Sequence, residues 1–460
     1  RPRRTGCAGL RRRALVAIVV FAIVAAGCGS GVSKTSPSTT TPATGRKVAD
    51  VPGLGTGVTD TQIKLGVVLV DFKCIEGAVD SIYVNQEQAY NAFIDDINEH
   101  GGINGRKIVP VFKTVCPVPV DLALTACTSL TEDSHVFAVI GSMYDPAGDA
   151  RQCIAKQHKT VLITDGVSQE MIDASPPGLL LTGNITPDRR LKVVMALVKS
   201  RHILDGKKVG VLTERNSTPR VDSVVAPALD AMGVERGSEA VLSISGLDTH
   251  QAQTELDSFI ERWKTEHVNA LILVGAAPSS KQFVTKVKAA IPDMQLISDT
   301  TDVLGGGQDS VKAHVVPNPY AGIITAEGRI GLEHSKTPHY TYCKKIFETQ
   351  TGIAIPLPNV VVKLPNGKQN DIYGNAENAC SFVTMFSTIA ERVGKNLNNA
   401  NWISTVNNFG PIEVMNTDYA SLHAGKYDAD DTYGLVQFDP AIPPIGDWRH
   451  LTPTENVSGA

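Results

Sequence analysis

Short catalytic signatures are missing from these 460 residues. No Gly-x-x-x-x-Gly-Lys-Ser/Thr loop is present to cradle a phosphate, and no Gly-x-Gly-x-x-Gly follows a strand-like run. Gly53-Leu54-Gly55-Thr56-Gly57 precedes the first apolar run, on the wrong side of it for a dinucleotide cradle. A Gly-x-Ser-x-Gly nucleophile elbow and a His-Glu-x-x-His zinc helix are also absent. The 11 histidines are scattered, and His100, His135 and His202 fall where loops or helix ends are expected. No cysteine pair has the Cys-x-x-Cys spacing of a zinc site. No cofactor or metal is therefore expected. Catalysis would need a site without a short motif, and an exported enzyme stays open only as an alternative. Asp95/Asp96 and Asp430/Asp431 are adjacent carboxylates, and neighbours on a helix point different ways, so the first pair reads as a solvated face.

Two further absences narrow the class. Lys and Arg form no cluster after residue 28. Formal charge is −4, and residues 1–27 hold six arginines and no acid, so the remainder carries −10. Phosphate binding relies on clustered basic side chains, which excludes nucleic acid as partner. The greasy run 14–26 has 13 residues, short of the roughly 20 that cross a bilayer.

That short run has the length of a secretory signal core. Arg1, Arg3, Arg4, Arg11, Arg12 and Arg13 precede it, and Ala25-Ala26-Gly27-Cys28 ends it. A cysteine directly after small residues resembles a bacterial lipobox, although Ala25 stands where Leu, Val or Ile is usual. The order predicts a signal peptide over 1–27 and a lipidated Cys28, holding an exported protein on the outer face of the cytoplasmic membrane. Residues 29–57 are rich in Ser, Thr, Pro and Gly and bury too little apolar surface to offset their ordering entropy, so 28–57 reads as a flexible tether.

The body alternates apolar runs with helical patterns. Runs at 63–70, 107–112, 136–140, 161–164, 209–213, 240–244, 270–274 and 295–298 read as buried strands. Helical patterns lie between most of them, as at 80–99, 221–232 and 251–266, which predicts α/β architecture with parallel sheets covered on both faces. The rhythm breaks where Pro176, Pro177, Gly178 and Pro187 crowd, and again at Gly305-Gly306-Gly307, Pro317 and Pro319. Crossings between two lobes are expected near 182–188 and 318–326. Helices at 338–350 and 376–395 and a strand at 434–438 follow. The expected division is 58–184 with 322–405 in lobe one and 185–321 with 406–460 in lobe two. Beyond Cys7 and Cys28, six cysteines remain, an even number that in an exported protein reads as disulfides with 15 possible pairings.

Several segments resemble the solute-binding proteins of branched-chain (Leu/Ile/Val-type) amino-acid ABC importers. They are 57–66, 90–98 and Gly101-Gly102-Ile103-Asn104-Gly105-Arg106-Lys107-Ile108, with 139–142 and 207–212 in support. The resemblance is clear over 58–300 and weak over 338–440. It implies the type I periplasmic-binding fold: two doubly wound, Rossmann-like lobes joined by a hinge of crossing strands, gripping a ligand between them. Open α/β sheets bind beyond the carboxyl ends of their strands. Applied to this chain, that rule nominates Asp71, Phe72, Ser142, Tyr144, Thr164 and Asp165 in lobe one, and Arg215, Asn216 and Asp299 in lobe two. In the family, the positions of Ser142 and Thr164 hold an amino-acid carboxylate. Thr218-Pro219 replaces the usual Tyr-Gly pair, and Gly275-Ala276-Ala277-Pro278 lacks the acid that faces a ligand ammonium, which argues against a simple aliphatic amino acid. In the implied layout the loops after the first two strands are neighbours, which favours Cys74–Cys116; Cys127–Cys153 and Cys343–Cys380 then join successive helices. The expected protein is a monomeric receptor for a small polar solute, working with ABC permease and ATPase subunits. A sensor on the same fold, or a receptor with a decayed cleft, is the alternative.

Overall fold

A computed structural model describes residues 50–459 apart from positions 77–78, 80, 118–120, 144, 146–147, 244–248, 359, 361 and 416. The signal sequence, Cys28, most of the tether and Tyr144 lie outside the described residues.

The apolar runs form two sheets. In chain order the first lobe supplies β1 (Gln62–Val70), the short β2 (Ser81–Ile82), β3 (Lys107–Val115), β4 (Ala138–Gly141), β5 (Val161–Ile163) and β6 (Leu180–Leu181). β1 buries Ile63 and every residue from Leu65 to Val70, the pattern of a strand shielded on both faces. It lies between β3 and β4, with Val67 level with Phe112 on one side and Ile140 on the other. All pairings in the order β3-β1-β4-β5-β6 are parallel. The second lobe supplies β7 (Lys208–Glu214), β8 (Glu235–Leu242), β9 (Ala270–Val274), β10 (Gln295–Ser298) and β11 (Ile324–Glu327). The returning chain adds β12 (Val362–Lys363), β13 (Gln369–Asn370), β14 (Gly410–Ile412), β15 (Ala420–Leu422), β16 (Thr432–Asp439), β17 (Asp447–His450) and β18 (Glu455–Asn456). The second sheet runs β17-β16-β11-β10-β9-β7-β8; β7 to β11 are parallel, and β16 and β17 are antiparallel additions at one edge.

Each sheet has its own core. One contains the first sheet together with Tyr340, Phe347, Phe386, Trp402, Phe409 and Tyr427. The second sheet is flanked by two apolar clusters, one around Leu191, Val198 and Tyr433 and one around Trp263, Phe283 and Phe438. The α/β class with two doubly wound lobes is therefore the architecture observed. Three crossings join the lobes, and the second lies later than expected. The first, at 182–186, is pinned where Thr182 exchanges backbone hydrogen bonds with the 427–429 segment. The second follows β11, because 324–327 is a strand of the second sheet and not a connector. The third falls between Ala429, in the first core, and Tyr433, in the second. Residues 406–429, expected in lobe two, pack with lobe one.

The glycine triplet explains the misplaced second crossing. Gly305, Gly306 and Gly307 lie inside the helix Val303–Lys312. A Cβ on Gly306 would sit 2.4 Å from the Tyr320 ring, and one on Gly307 would sit 2.6 Å from the Phe438 ring. The triplet lets a helix approach two aromatic side chains closely; it does not break the chain. The Gly101-Gly102 turn is a structural one: Gly102 has φ +68°, and a Cβ there would meet the Arg106 carbonyl oxygen at 2.1 Å. The buried Arg106 guanidinium then donates to Thr59 O (2.7 Å) and Lys395 O (2.8 Å), tying the turn to both ends of the lobe.

Three disulfides, Cys74–Cys116, Cys127–Cys153 and Cys343–Cys380, all lie in lobe one. No helix among the described residues is long and apolar enough to cross a membrane.

Candidate functional site

A small three-stranded sheet builds one wall of the site. β13 pairs in parallel with β2, so Gln369 lies level with Ser81 and Asn370 with Ile82. That register carries Tyr83 against the start of the helix Ile372–Val393. Asp371 caps this helix, its Oδ1 accepting from the Gly374 N–H at 2.7 Å. The helix then presents Tyr373, Glu377 and Asn378 to a cavity of about 520 Å³. Lobe two closes the opposite side with Leu304 and Gln308 of the helix Val303–Lys312 and with the 443–447 turn between β16 and β17. Asn184 from the first crossing and Gly331 and His334 from the second complete the lining. Both lobes and two crossings therefore meet around one polar cavity.

An adjoining recess of about 180 Å³ shares Asn184, His334, Glu377 and Asn378 and adds Arg190, Glu327, Thr417, Asp430 and Tyr433. Arg190 donates to Ala326 O (2.9 Å), stands 3.8 Å from Glu327 and lies 5.2 Å from the Tyr433 ring centre. Asp430 accepts from the Thr417 hydroxyl (2.7 Å) and the Tyr433 hydroxyl (2.5 Å). Burial pushes the carboxyls of Asp371, Asp430 and Asp447 above the usual range, because the ionised form loses solvation. Burial, and then the Arg329 charge, pushes the His334 imidazolium the other way, so this ring is neutral at pH 7.

The strand-end residues nominated from the sequence divide into three groups. Phe72 and Ser142 touch the cavity wall from behind: Phe72 packs edge-on against Tyr83 with ring centres 5.4 Å apart, and Ser142 Oγ is 3.4 Å from Asn378 Nδ2. Asp71, Thr164, Asp165 and Asp299 are engaged within their own lobes. Asp71 Oδ1 accepts from the Lys73 N–H (3.0 Å), and Thr164 donates to Gly141 O (2.7 Å). Asp165 accepts from the Met143 N–H (3.3 Å), while the buried Arg151 donates to its carbonyl (3.2 Å). Asp299 is paired with Arg220 at 2.6 Å and accepts from the Gly275 N–H at 3.0 Å. Arg215 and Asn216 are exposed at the end of β7, away from the cavity lining. Tyr144 lies outside the described residues. The acids of the cavity come instead from segments not nominated: Asp371, Glu377 and Asp447. Asp371 carried a local signal, an Asp opening a helix; Tyr83, Asn184 and Asp447 carried none.

The chain belongs to the periplasmic binding protein family, whose model matches residues 62–327. No curated protein matches it. Solved structures show the same fold at low identity. The leucine-, isoleucine-, valine-, threonine- and alanine-binding protein of Brucella ovis, in a closed conformation, superposes with TM-score 0.61 at 12% identity, over 86% of this chain and 95% of that one. A Rhodopseudomonas palustris ABC-transporter solute-binding protein in complex with 4-hydroxybenzoate gives 0.58 at 14%, over 86% and 97%. A fatty-acid ABC-transporter substrate-binding protein from Thermomonospora curvata gives 0.56 at 14%, over 88% and 95%. Much of the cavity lining, including Asp371, Glu377 and Asp447, lies after residue 327, beyond the stretch that the family model matches.

Proposed function

We propose that this protein is an extracytoplasmic receptor of an ABC importer that takes a small polar solute between its lobes and presents it to a membrane permease. The observation that carries this reading is the cavity of about 520 Å³ walled by both lobes and by two of the crossings. A solute that touches both walls stabilises the closed arrangement, so affinity and closure are coupled. Lobe one comprises 58–181 and 338–429, and lobe two comprises 185–327 and 432–457. Phe72 and Ser142 position Tyr83 and Asn378 from behind. The structural relatives named for ABC transport, and for ligands from amino acids to benzoates, support a transport role with wide latitude in ligand.

Thermal-shift and small-angle scattering measurements over amino acids, amides, amines, urea and small carboxylates test the reading. A binding compound is expected to raise the melting temperature and shrink the radius of gyration together. Stabilisation without compaction, or no response to any compound at millimolar concentration, argues against a closing receptor.

Lipidation of Cys28 anchors the receptor to the outer face of the cytoplasmic membrane. In an expressing bacterium, labelled palmitate is expected on the wild-type chain and absent from Cys28→Ala, which should appear in the medium or the soluble extracytoplasmic fraction. Equal labelling of the two would place the acyl chain elsewhere.

A further inference from the structure

The charge on the cavity wall narrows the ligand, given the reading as a solute receptor. Asp371, Glu377 and Asp447 line the cavity, and among the described residues no Lys or Arg is in its lining. Asp371 comes from lobe one and Asp447 from the start of β17 in lobe two, so acid faces the space from both sides. Among the described residues, the side chain of Asp371 is held by the Gly374 N–H (2.7 Å) and that of Asp447 by the Trp448 N–H (2.8 Å); neither is bridged to a Lys or Arg, and the basic group facing Asp447 is the neutral His334 ring. In the recess, among the described residues, Arg190 is the one Lys or Arg in the lining, against Glu327, Glu377 and Asp430. The remaining polar lining is neutral amide, the Ser81 hydroxyl and a neutral imidazole, with the rings of Tyr83 and Tyr373 beside them.

We infer that the cleft ligand is a small organic cation, an amine, amidine or quaternary ammonium, held between Asp371 and Asp447. Asp371 and Asp447 are partly removed from water and face no Lys or Arg in this cavity, and an entering cation supplies the opposite charge; a carboxylate ligand would meet like charge on both walls. Aromatic faces add attraction for the same charge. The upward displacement of both carboxyls by burial fits that account, since the cost of ionising them is what a bound cation offsets. The acid that the lobe-two strand ends lack is thus supplied by the return segments.

The test uses purified full-length protein with putrescine, agmatine and choline set against benzoate and leucine, read by calorimetry and small-angle scattering. At least one of the cations is expected to bind with compaction, and benzoate and leucine are not. Asp371→Asn and Asp447→Asn keep an acceptor for their backbone N–H partners and remove only charge. Each is expected to weaken cation binding roughly ten- to a hundred-fold, the range for one charge-assisted contact. Asp447→Asn lies outside any helix and reads the charge alone should the capping change disturb folding. Compaction with benzoate or leucine but with none of the cations overturns the cation assignment and leaves the receptor reading standing. Cation affinity unchanged in both variants also overturns it. No compaction with any probe removes the receptor reading and the cation assignment together.

Discussion

Replacing Arg189 with alanine is expected to cost the protein roughly 3–5 kcal/mol, the range for stranding a buried charge. Arg189 lies in the first turn of the helix Pro187–Ser200, capped by Thr186 and opened by Pro187. Its Nε donates to Asp428 Oδ2 at 2.8 Å and its Nη1 to Asp431 Oδ1 at 2.9 Å. Lys426 Nζ reaches Asp431 from the other side at 2.9 Å, and Asp428 also accepts from the Thr186 N–H at 2.8 Å. All four charged side chains are buried, with Asp431 wholly inaccessible. Two cations balance two anions, so removing one cation leaves a net negative charge away from water. The loss is softened by Lys426. Its ammonium pKa is held down mainly by burial and next by the Arg189 charge, so it keeps its proton more readily in the variant. The network joins the first crossing to the third, so the variant should also loosen the two connections between the lobes. Urea unfolding checks the stability term; a loss below about 1 kcal/mol would show that water already relaxes these charges.

The Asp430/Asp431 pair shows how much of this was legible in the sequence. Adjacent acids were visible, but their two destinations were not. Asp431 enters the buried network, while Asp430 faces the recess beside Arg190 and Tyr433. In extended chain, successive side chains point to opposite sides, so a carboxylate pair can serve two unrelated environments. Which environments those are depends on residues more than 200 positions away. His135 and His202, read as loop residues, do have positive φ at turns, and His100 ends the helix Gln86–Glu99.

Strands were the easiest elements to read, for a physical reason. A parallel strand covered on both faces is a continuous apolar run, and β1, β4, β5 and β9 are nearly all apolar. The lobe boundaries were harder, because a connector and an edge strand have similar composition. β11 (ITAE) contains no run long enough to announce itself, and β14 and β15 are three residues each. The cleft was the least legible part. Strand-end reasoning selected residues that mostly satisfy their own loops, as Asp299 does with Arg220 and Gly275. The lining comes from β2, a helix start and a turn near the carboxyl terminus, joined by the pairing of β13 with β2. That pairing spans almost 290 residues, and no local pattern records it.

Reduction of the disulfides is expected to unfold lobe one while lobe two keeps its structure. All three bridges lie in lobe one, and lobe two contains no cysteine. They close loops with sequence separations of 42, 26 and 37 residues. On the chain-entropy account, loops of this size each stabilise by roughly 3–4 kcal/mol, so together by about 10. That rivals the whole net stability of an ordinary domain, about 5–15 kcal/mol. The bridges should open in order. Cys74 is exposed, whereas Cys127, Cys343 and Cys380 are wholly buried, so Cys74–Cys116 yields first. That bridge holds the loop carrying Phe72, which backs Tyr83 on the cavity wall. Mild reductant should therefore weaken ligand binding before the protein unfolds. Stronger reduction then removes the covalent ties between the helices on which the first sheet packs. Hydrogen exchange read by mass spectrometry separates the lobes: protection over β1, β3 and β4 should fall by orders of magnitude while β7, β9 and β10 stay slow. Equal loss in both lobes would mean that they unfold as one cooperative unit, with the crossings at 182–186 and 430–432 too stiff to let either half open alone.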